Sequence, residues 1–312
     1  MTAELSDPAG LALLFVASVA AGGINAIAGG GTILTFAVLS AILPPGPGRL
    51  VSANVTSTIG LWPGAVAATW ATRHEWTRLP RWARWLVLPS VIGAVAGVAM
   101  LGLLPAATFD AVVPWLILLA AVLFTIQPQV ARLVAHRSQC ENESSKPLAA
   151  ARGQRDVGQS RSAMPAGATP RSPDRRQGLS CAGAEASGRV LLACGLQLVV
   201  GIYGGYFGAG IGVLMLAILG LLGLGDIHSL NAIKNLLGTA INGVAAAVFG
   251  AAAVAGVFEV SWPCVAVAAP GAVIGAIAVA RIARRLPATA VRRLVAILAF
   301  ALSAYHLWRE WA

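Results

Sequence analysis

A search for chemistry in this sequence begins at Lys234. It is one of only two lysines in 312 residues, the other being Lys146, and it lies in an apolar run between Asn231 and Asn235. A lysine inside a membrane-length run costs a few kcal/mol unless it faces a cavity or a partner. No carboxylate lies within one helical turn of it, and Asp226 is two turns away at the margin. Two readings are open. The side chain can snorkel to the nearer membrane surface, or it can offer a buried positive charge to an anionic substrate.

Amides, hydroxyls and glycine clusters accompany this lysine. Asn25, Asn54, Thr56, Asn235 and Asn242 are polar groups inside apolar runs. Singly, each suits a hydrogen bond to a neighbouring helix. Together they would make a neutral hydrogen-bonding shell for the oxygens of an oxyanion. The glycines Gly29, Gly30 and Gly31 and the pair Gly208 and Gly210 interrupt two of the runs. They suit close helix packing. They equally suit a broken helix whose free N–H groups, at the start of the next half-helix, bind an anion. Tyr203 and Tyr206 either line the way in or belong to an aromatic belt.

Other chemistries lack their residues. The stretch Gly208-Ala-Gly-Ile-Gly212 has no Lys-Ser/Thr after it, so it is no P-loop. His74, His136, His228 and His306 are scattered without metal-ligand spacing, and Cys140, Cys181, Cys194 and Cys264 form no CxxC. No HExxH, Ser/His/Asp or paired-carboxylate arrangement is visible, so the chain reads as a non-enzyme with no cofactor and no metal. Asp and Glu are absent from the interiors of the apolar runs, which leaves a carboxylate proton relay without candidates.

The elements that must position these residues are membrane helices. Apolar residues make up 57% of the chain and charged residues 11%, and mean hydropathy is +0.77. A soluble domain carries about 25% charged residues. The net charge of +10 does not indicate nucleic acid. The arginines cluster between apolar runs, as positive cytoplasmic loops do, and no basic patch is interleaved with aromatics. The first charges are Glu4 and Asp7 rather than a basic leader, so the first apolar run is expected to be retained.

Ten apolar segments are expected, at about 10–28, 31–44, 51–72, 84–103, 110–127, 189–208, 211–224, 231–254, 262–280 and 290–308. The second and seventh are short, follow glycine clusters and read as tilted or broken helices. Trp62-Pro63-Gly64 is expected to kink the third. Residues 128–188, rich in Arg, Ser, Pro and Gly, have almost no apolar periodicity and read as a disordered cytoplasmic linker. It separates a first repeat, 1–127, from a second, 189–312. Arg73, Arg78, Arg81 and Arg84 form one basic cluster, the linker a second, and Arg281, Arg284, Arg285, Arg292 and Arg293 a third. If all three are cytoplasmic, the span parity closes and both termini lie outside.

The two halves share three features in the same order. Each opens with a glycine cluster, from Gly22 to Thr32 and from Gly201 to Gly212. Each then has a polar patch, Ser52 to Thr58 and Asn231 to Asn242. Each ends with GxxxG, Gly93 to Gly97 and Gly271 to Gly275. By loop charge the halves enter the membrane from opposite sides. The expected fold is therefore an all-α polytopic transmembrane bundle of about 8–10 segments, built from two inverted repeats with interrupted helices. In secondary transporters of this pattern the site lies between the repeats near the midplane. The GxxxG motifs permit a homodimer and equally permit packing within one chain.

The stretches GGINAIAGGGTILTF and SANVTST, then GIYGGYFGAGIGVLML, LNAIKNLLGTAINGVAA and ARIARRLP, resemble the sulfite exporter TauE/SafE family. The resemblance covers nearly all of the chain outside the linker. It implies an inner-membrane transporter exporting sulfite, sulfoacetate or another small organosulfur anion. Carried over, it marks Asn25, Gly29, Gly30, Gly31, Asn54 and Thr56 in the first half. In the second it marks Tyr203, Gly208, Gly210, Lys234, Asn235 and Asn242. The expected partners are a small anion and the lipid bilayer, with no nucleic acid. An anion channel and a membrane accessory protein without transport activity are the alternatives.

Overall fold

Long apolar runs become long helices. The computed structural model describes residues 8–27, 29–126, 129, 175–224 and 227–282, with 296–297, 299–301 and 303–304 beyond them. In order, the helices are α1 (Pro8–Ile27), α2 (Thr32–Ile42), α3 (Arg49–Ala71), the short α4 (Arg81–Trp85), α5 (Val87–Leu103), α6 (Ala106–Ile126), α7 (Arg175–Tyr206), α8 (Ile211–Leu221), α9 (Ile227–Val254) and α10 (Trp262–Ile282). A 3-10 segment, Arg73–Arg78, joins α3 to α4, and no strand occurs among the described residues. Six stretches there are long and apolar enough to cross a membrane: Pro8–Ile27, Trp82–Leu103, Ala106–Ile126, Gly188–Tyr206, Ser229–Val254 and Trp262–Val279. Large apolar side chains, among them Leu88, Trp115, Leu191 and Val199, are exposed on their outer faces, as lipid-facing residues are. The chain is an all-α, multi-pass membrane helix bundle.

The two short helices arise where expected. α2 and α8 have 11 residues each, about 17 Å of helix, roughly half of the bilayer core. Each follows a break in which glycines take up positive φ: Gly29 at 76° and Gly30 at 92° in the first, Gly208 at 76° and Gly210 at 79° in the second. A residue with a Cβ strains there, so glycine ends one helix and lets the next begin. α3 is 23 residues long but too polar to count among the six. Its polar run is buried instead: Asn54, Thr56, Ser57 and Thr58 all lie inside the bundle. Pro63 sits within α3 without ending it.

Helix packing exchanges the halves. α1 packs on α10 and α5 on α7; α3 packs on α10, α9 packs on α5, and α3 and α9 cross each other. Glycines make the first two contacts close. A Cβ at Gly201 would lie 2.7 Å from the Ser90 carbonyl oxygen, and one at Gly271 would lie 3.0 Å from the Phe15 carbonyl oxygen. Both GxxxG motifs are thus occupied inside the chain, Gly93 and Gly97 against α7, and Gly271 and Gly275 against α1.

Two boundaries differ from expectation. α6 begins at Ala106, four residues before the expected start, which places Asp110 in its second turn. α7 begins at Arg175 and so reaches back into the stretch expected as linker. The Arg-, Gln- and Ala-containing sequence there suits a helix. The remainder of that stretch, 130–174, lies outside the described residues, as does most of the third arginine cluster. Of the tenth segment, Ala296 and Ala299 are buried, and the Ser303 hydroxyl donates to the Pro114 carbonyl at 3.0 Å, docking this segment on α6.

Candidate functional site

The two breaks stand back to back. A Cβ on Gly29 would come within 2.6 Å of the Gly212 Cα, and one on Gly30 within 3.1 Å of the Gly210 Cα. Across the same junction the Thr32 hydroxyl lies 3.5 Å from the Gly208 carbonyl. In each half a side chain from the last turns of the first helix braces the glycine loop. Asn25 accepts from the Gly30 N–H at 2.9 Å, and the Tyr203 hydroxyl donates to the Ala209 carbonyl at 2.5 Å. α3 supplies one further brace, Asn54 donating to the Tyr206 carbonyl at 3.0 Å. Thr56 acts elsewhere, accepting from the Ser261 N–H just before α10 at 3.2 Å.

Beside this junction lies a cavity of about 30 Å³, lined by Asn25 and Gly29 of the first break, Ala65 and Ala68 of α3, and Ile211 and Gly212 at the start of α8. Lys234, Asn235, Gly238, Thr239 and Asn242 of α9 complete it. That space holds on the order of one or two waters. Lys234 is buried at 2% exposure, and its ammonium donates to the carbonyl of Ile27 at 3.4 Å. Ile27 ends α1, where the last carbonyls have no partner within the helix. The lysine therefore does not snorkel to the surface.

Asn235 is 7% exposed, and its side-chain Nδ2 is a buried donor with no hydrogen-bond partner. A buried donor left unmatched costs about 1–3 kcal/mol, which a bound acceptor would recover. Among the described residues the lining carries one cation and no carboxylate. The start of α8 adds N–H groups at the positive end of its dipole. A unit negative charge about 4 Å from the ammonium would gain about 4 kcal/mol at an effective dielectric of about 20. The arrangement is suited to a small anion.

Of the residues singled out in the sequence, Asn25, Gly29, Lys234, Asn235 and Asn242 meet at this cavity. Gly30, Gly31, Gly208, Gly210, Tyr203, Asn54 and Thr56 do not line it. All but Thr56 form and brace the breaks behind it, and Thr56 holds the segment just before α10. Gly31 has no room for a side chain against the Ala21 carbonyl. Six lining residues outside that set, Ala65, Ala68, Ile211, Gly212, Gly238 and Thr239, have no charge to mark them. Only Gly238 has a signal in spacing: Lys234, Gly238 and Asn242 recur every four residues and share one face of α9.

A hydroxyl clasp holds α3 to α9 at the cavity wall. The Thr69 hydroxyl lies 3.0 Å from the Asn235 carbonyl, the Thr239 hydroxyl 2.9 Å from the Ala65 carbonyl, and the two hydroxyls are 2.6 Å apart, so that one donates to the other while the second donates to its carbonyl. Each threonine thus reaches the carbonyl four residues before the other. Interhelical hydrogen bonds within membranes average about 0.6 kcal/mol. Thr69→Val and Thr239→Val are each expected to lower stability by about that much. Their double-mutant cycle, read by thermal unfolding in detergent, should return a coupling of about 0.5 kcal/mol or more. Additive losses would mean that the hydroxyls act independently.

The family described as Sulfite exporter TauE/SafE matches this chain over residues 14–306. A curated relative, Probable membrane transporter protein ORF9 from Sinorhizobium sp., is 32% identical over 131 residues, which is 40% of this chain and 47% of the relative. The aligned part thus spans about half the length of that relative. No solved structure matches the chain.

Proposed function

Since the chain belongs to the sulfite exporter TauE/SafE family of membrane transporters, we propose that it is a secondary transporter. It exports a small anion, sulfite or an organosulfonate, across the cell inner membrane. The observation that carries this reading is the cavity between the broken helices, where Lys234 and the unpartnered Asn235 amide meet with no carboxylate among the described lining residues. Lys234 supplies charge, Asn235, Asn25 and Asn242 supply donors and orientation, and the start of α8 adds positive potential. Tyr203, Asn54 and the glycines Gly30, Gly31, Gly208 and Gly210 hold the breaks in register, and Thr56 ties α3 to the segment before α10.

The halves work as inverted repeats, with the linker 128–188 on the cytoplasmic side. Their exchange-symmetric packing supports this arrangement, because a two-fold relation lets one repeat take up the conformation of the other and so present the site alternately to each side. The bilayer surrounds a chain whose GxxxG motifs are used internally, so a homodimer would form through other surfaces.

Proteoliposome uptake of labelled sulfite, thiosulfate, taurine, sulfoacetate and acetate, with and without a pH gradient, tests the reading. Saturable, anion-selective uptake with counterflow is expected. Flux that rises without saturation would identify a channel instead. No uptake of any of these anions by folded protein would remove the sulfur-anion assignment.

A further inference from the structure

Gly238 is a glycine without a packing reason. It lies inside α9, where glycine is about 1 kcal/mol less favourable than alanine. It is not among the positive-φ glycines. A Cβ built on it would meet nothing within 4 Å, unlike those at Gly93, Gly97, Gly271 and Gly275, which run into backbone. Gly195 and Gly250 also have open space around them, but neither lines the cavity. Gly238 does.

Its position relates it to the anion site. It is one helical turn beyond Lys234 on the same face, about 5.4 Å along α9. The cavity is polar at Lys234, Asn235 and Asn25. It is apolar where Ala65, Ala68 and Ile211 line it, all three at least nine-tenths buried. The buried, unpartnered Asn235 amide independently marks the polar part as a ligand site. An anion whose charged end sits there extends its remaining atoms past Gly238 against small apolar walls.

We propose that Gly238 sets the size of the anion this protein accepts, the missing side chain leaving room for a short aliphatic body attached to the anionic head. Gly238 thus governs the length of the group carried behind the anionic head, the head itself being held at Lys234 and Asn235. The inference rests on the transport reading above and adds to it a specificity-determining residue.

The test uses the full-length protein in proteoliposomes. It compares sulfite with methane-, ethane- and propanesulfonate in the parent, Gly238→Ala and Gly238→Val. The readout is the ratio of kcat/KM for each alkanesulfonate to that for sulfite within one preparation. That ratio does not depend on how much of each variant folds. The parent is expected to carry the alkanesulfonates at least as well as sulfite. Each step in side-chain size should lower the ratio for the longest substrate by on the order of tenfold, with sulfite least affected. Thermal unfolding should show Gly238→Ala at least as stable as the parent, since the added methyl has space and alanine favours helix. Unchanged ratios in Gly238→Val, or a parent that carries sulfite and excludes every alkanesulfonate, would overturn the role of Gly238. A parent that carries none of the four anions would overturn the transport reading, and this proposal with it.

Discussion

Lys234→Ala is expected to weaken anion binding by about 2 kcal/mol or more, roughly thirtyfold in Kd, while leaving a folded protein. The ammonium is buried at the cavity and reaches the Ile27 carbonyl, so its charge acts where water screens it least. Removing it takes away the main source of attraction for an anion and leaves only amide and N–H donors. Folding should survive, because a buried charge costs stability and its replacement by a small apolar group is often neutral or better. Lys234→Arg separates charge from geometry. It keeps the positive charge but spreads it over a planar fork in a cavity of about 30 Å³, so binding should recover only in part. KM from proteoliposome flux, read beside thermal unfolding of the same preparations, measures both. Normal affinity in Lys234→Ala would show that the substrate does not sit at this lysine.

Gly275→Val is expected to have the opposite profile and to lose the folded bundle. The space for a Cβ there is already taken by the backbone carbonyl of Val19 in α1. Backbone on both sides cannot give way as a flexible side chain can. α1 and α10 would have to separate, and α1 carries Asn25 and the first break at its end. Forced overpacking costs about 1–3 kcal/mol even where side chains can shift. A backbone clash between two spanning helices belongs at or above the top of that range. Size-exclusion profiles and unfolding temperatures in detergent measure it, with Gly250→Val as control, since Gly250 has open space around it. Equal behaviour of the two variants would mean that the α1–α10 contact is not what glycine at 275 provides.

The contrast between Gly275, Gly238 and Gly29 explains what could and could not be read in advance. All three are glycines in apolar runs. Gly275 belongs to a GxxxG motif, and Gly29 to a glycine cluster repeated in the other half, so both stood out by pattern. Gly238 was marked only by its place on the face of Lys234, because an isolated glycine in a helix has no local signature of the space beside it. Lys234 was conspicuous by cost. A charge in an apolar run must be accommodated somewhere, and its i+4 and i+8 neighbours were bound to share its face.

The sequence by itself determined the class of this protein and the position of its breaks. Apolar runs of membrane length must be helices, since the bilayer offers no partner for backbone N–H and C=O groups. Paired glycine clusters followed by short runs locate two interrupted helices. Those are local properties of the chain, set by composition and period. Which polar residues share one cavity was decided by tertiary structure alone. Asn25 and Lys234 are far apart in sequence and meet only because the two breaks pack against each other at Gly29 and Gly212. Asn54, Thr56 and Tyr203 look equally suited to a ligand, yet the same packing turns Asn54 and Tyr203 onto backbone groups of the second break and Thr56 onto the backbone just before α10. An amide or hydroxyl at depth must find a partner, and only the assembled bundle determines whether that partner is its own backbone or a bound anion.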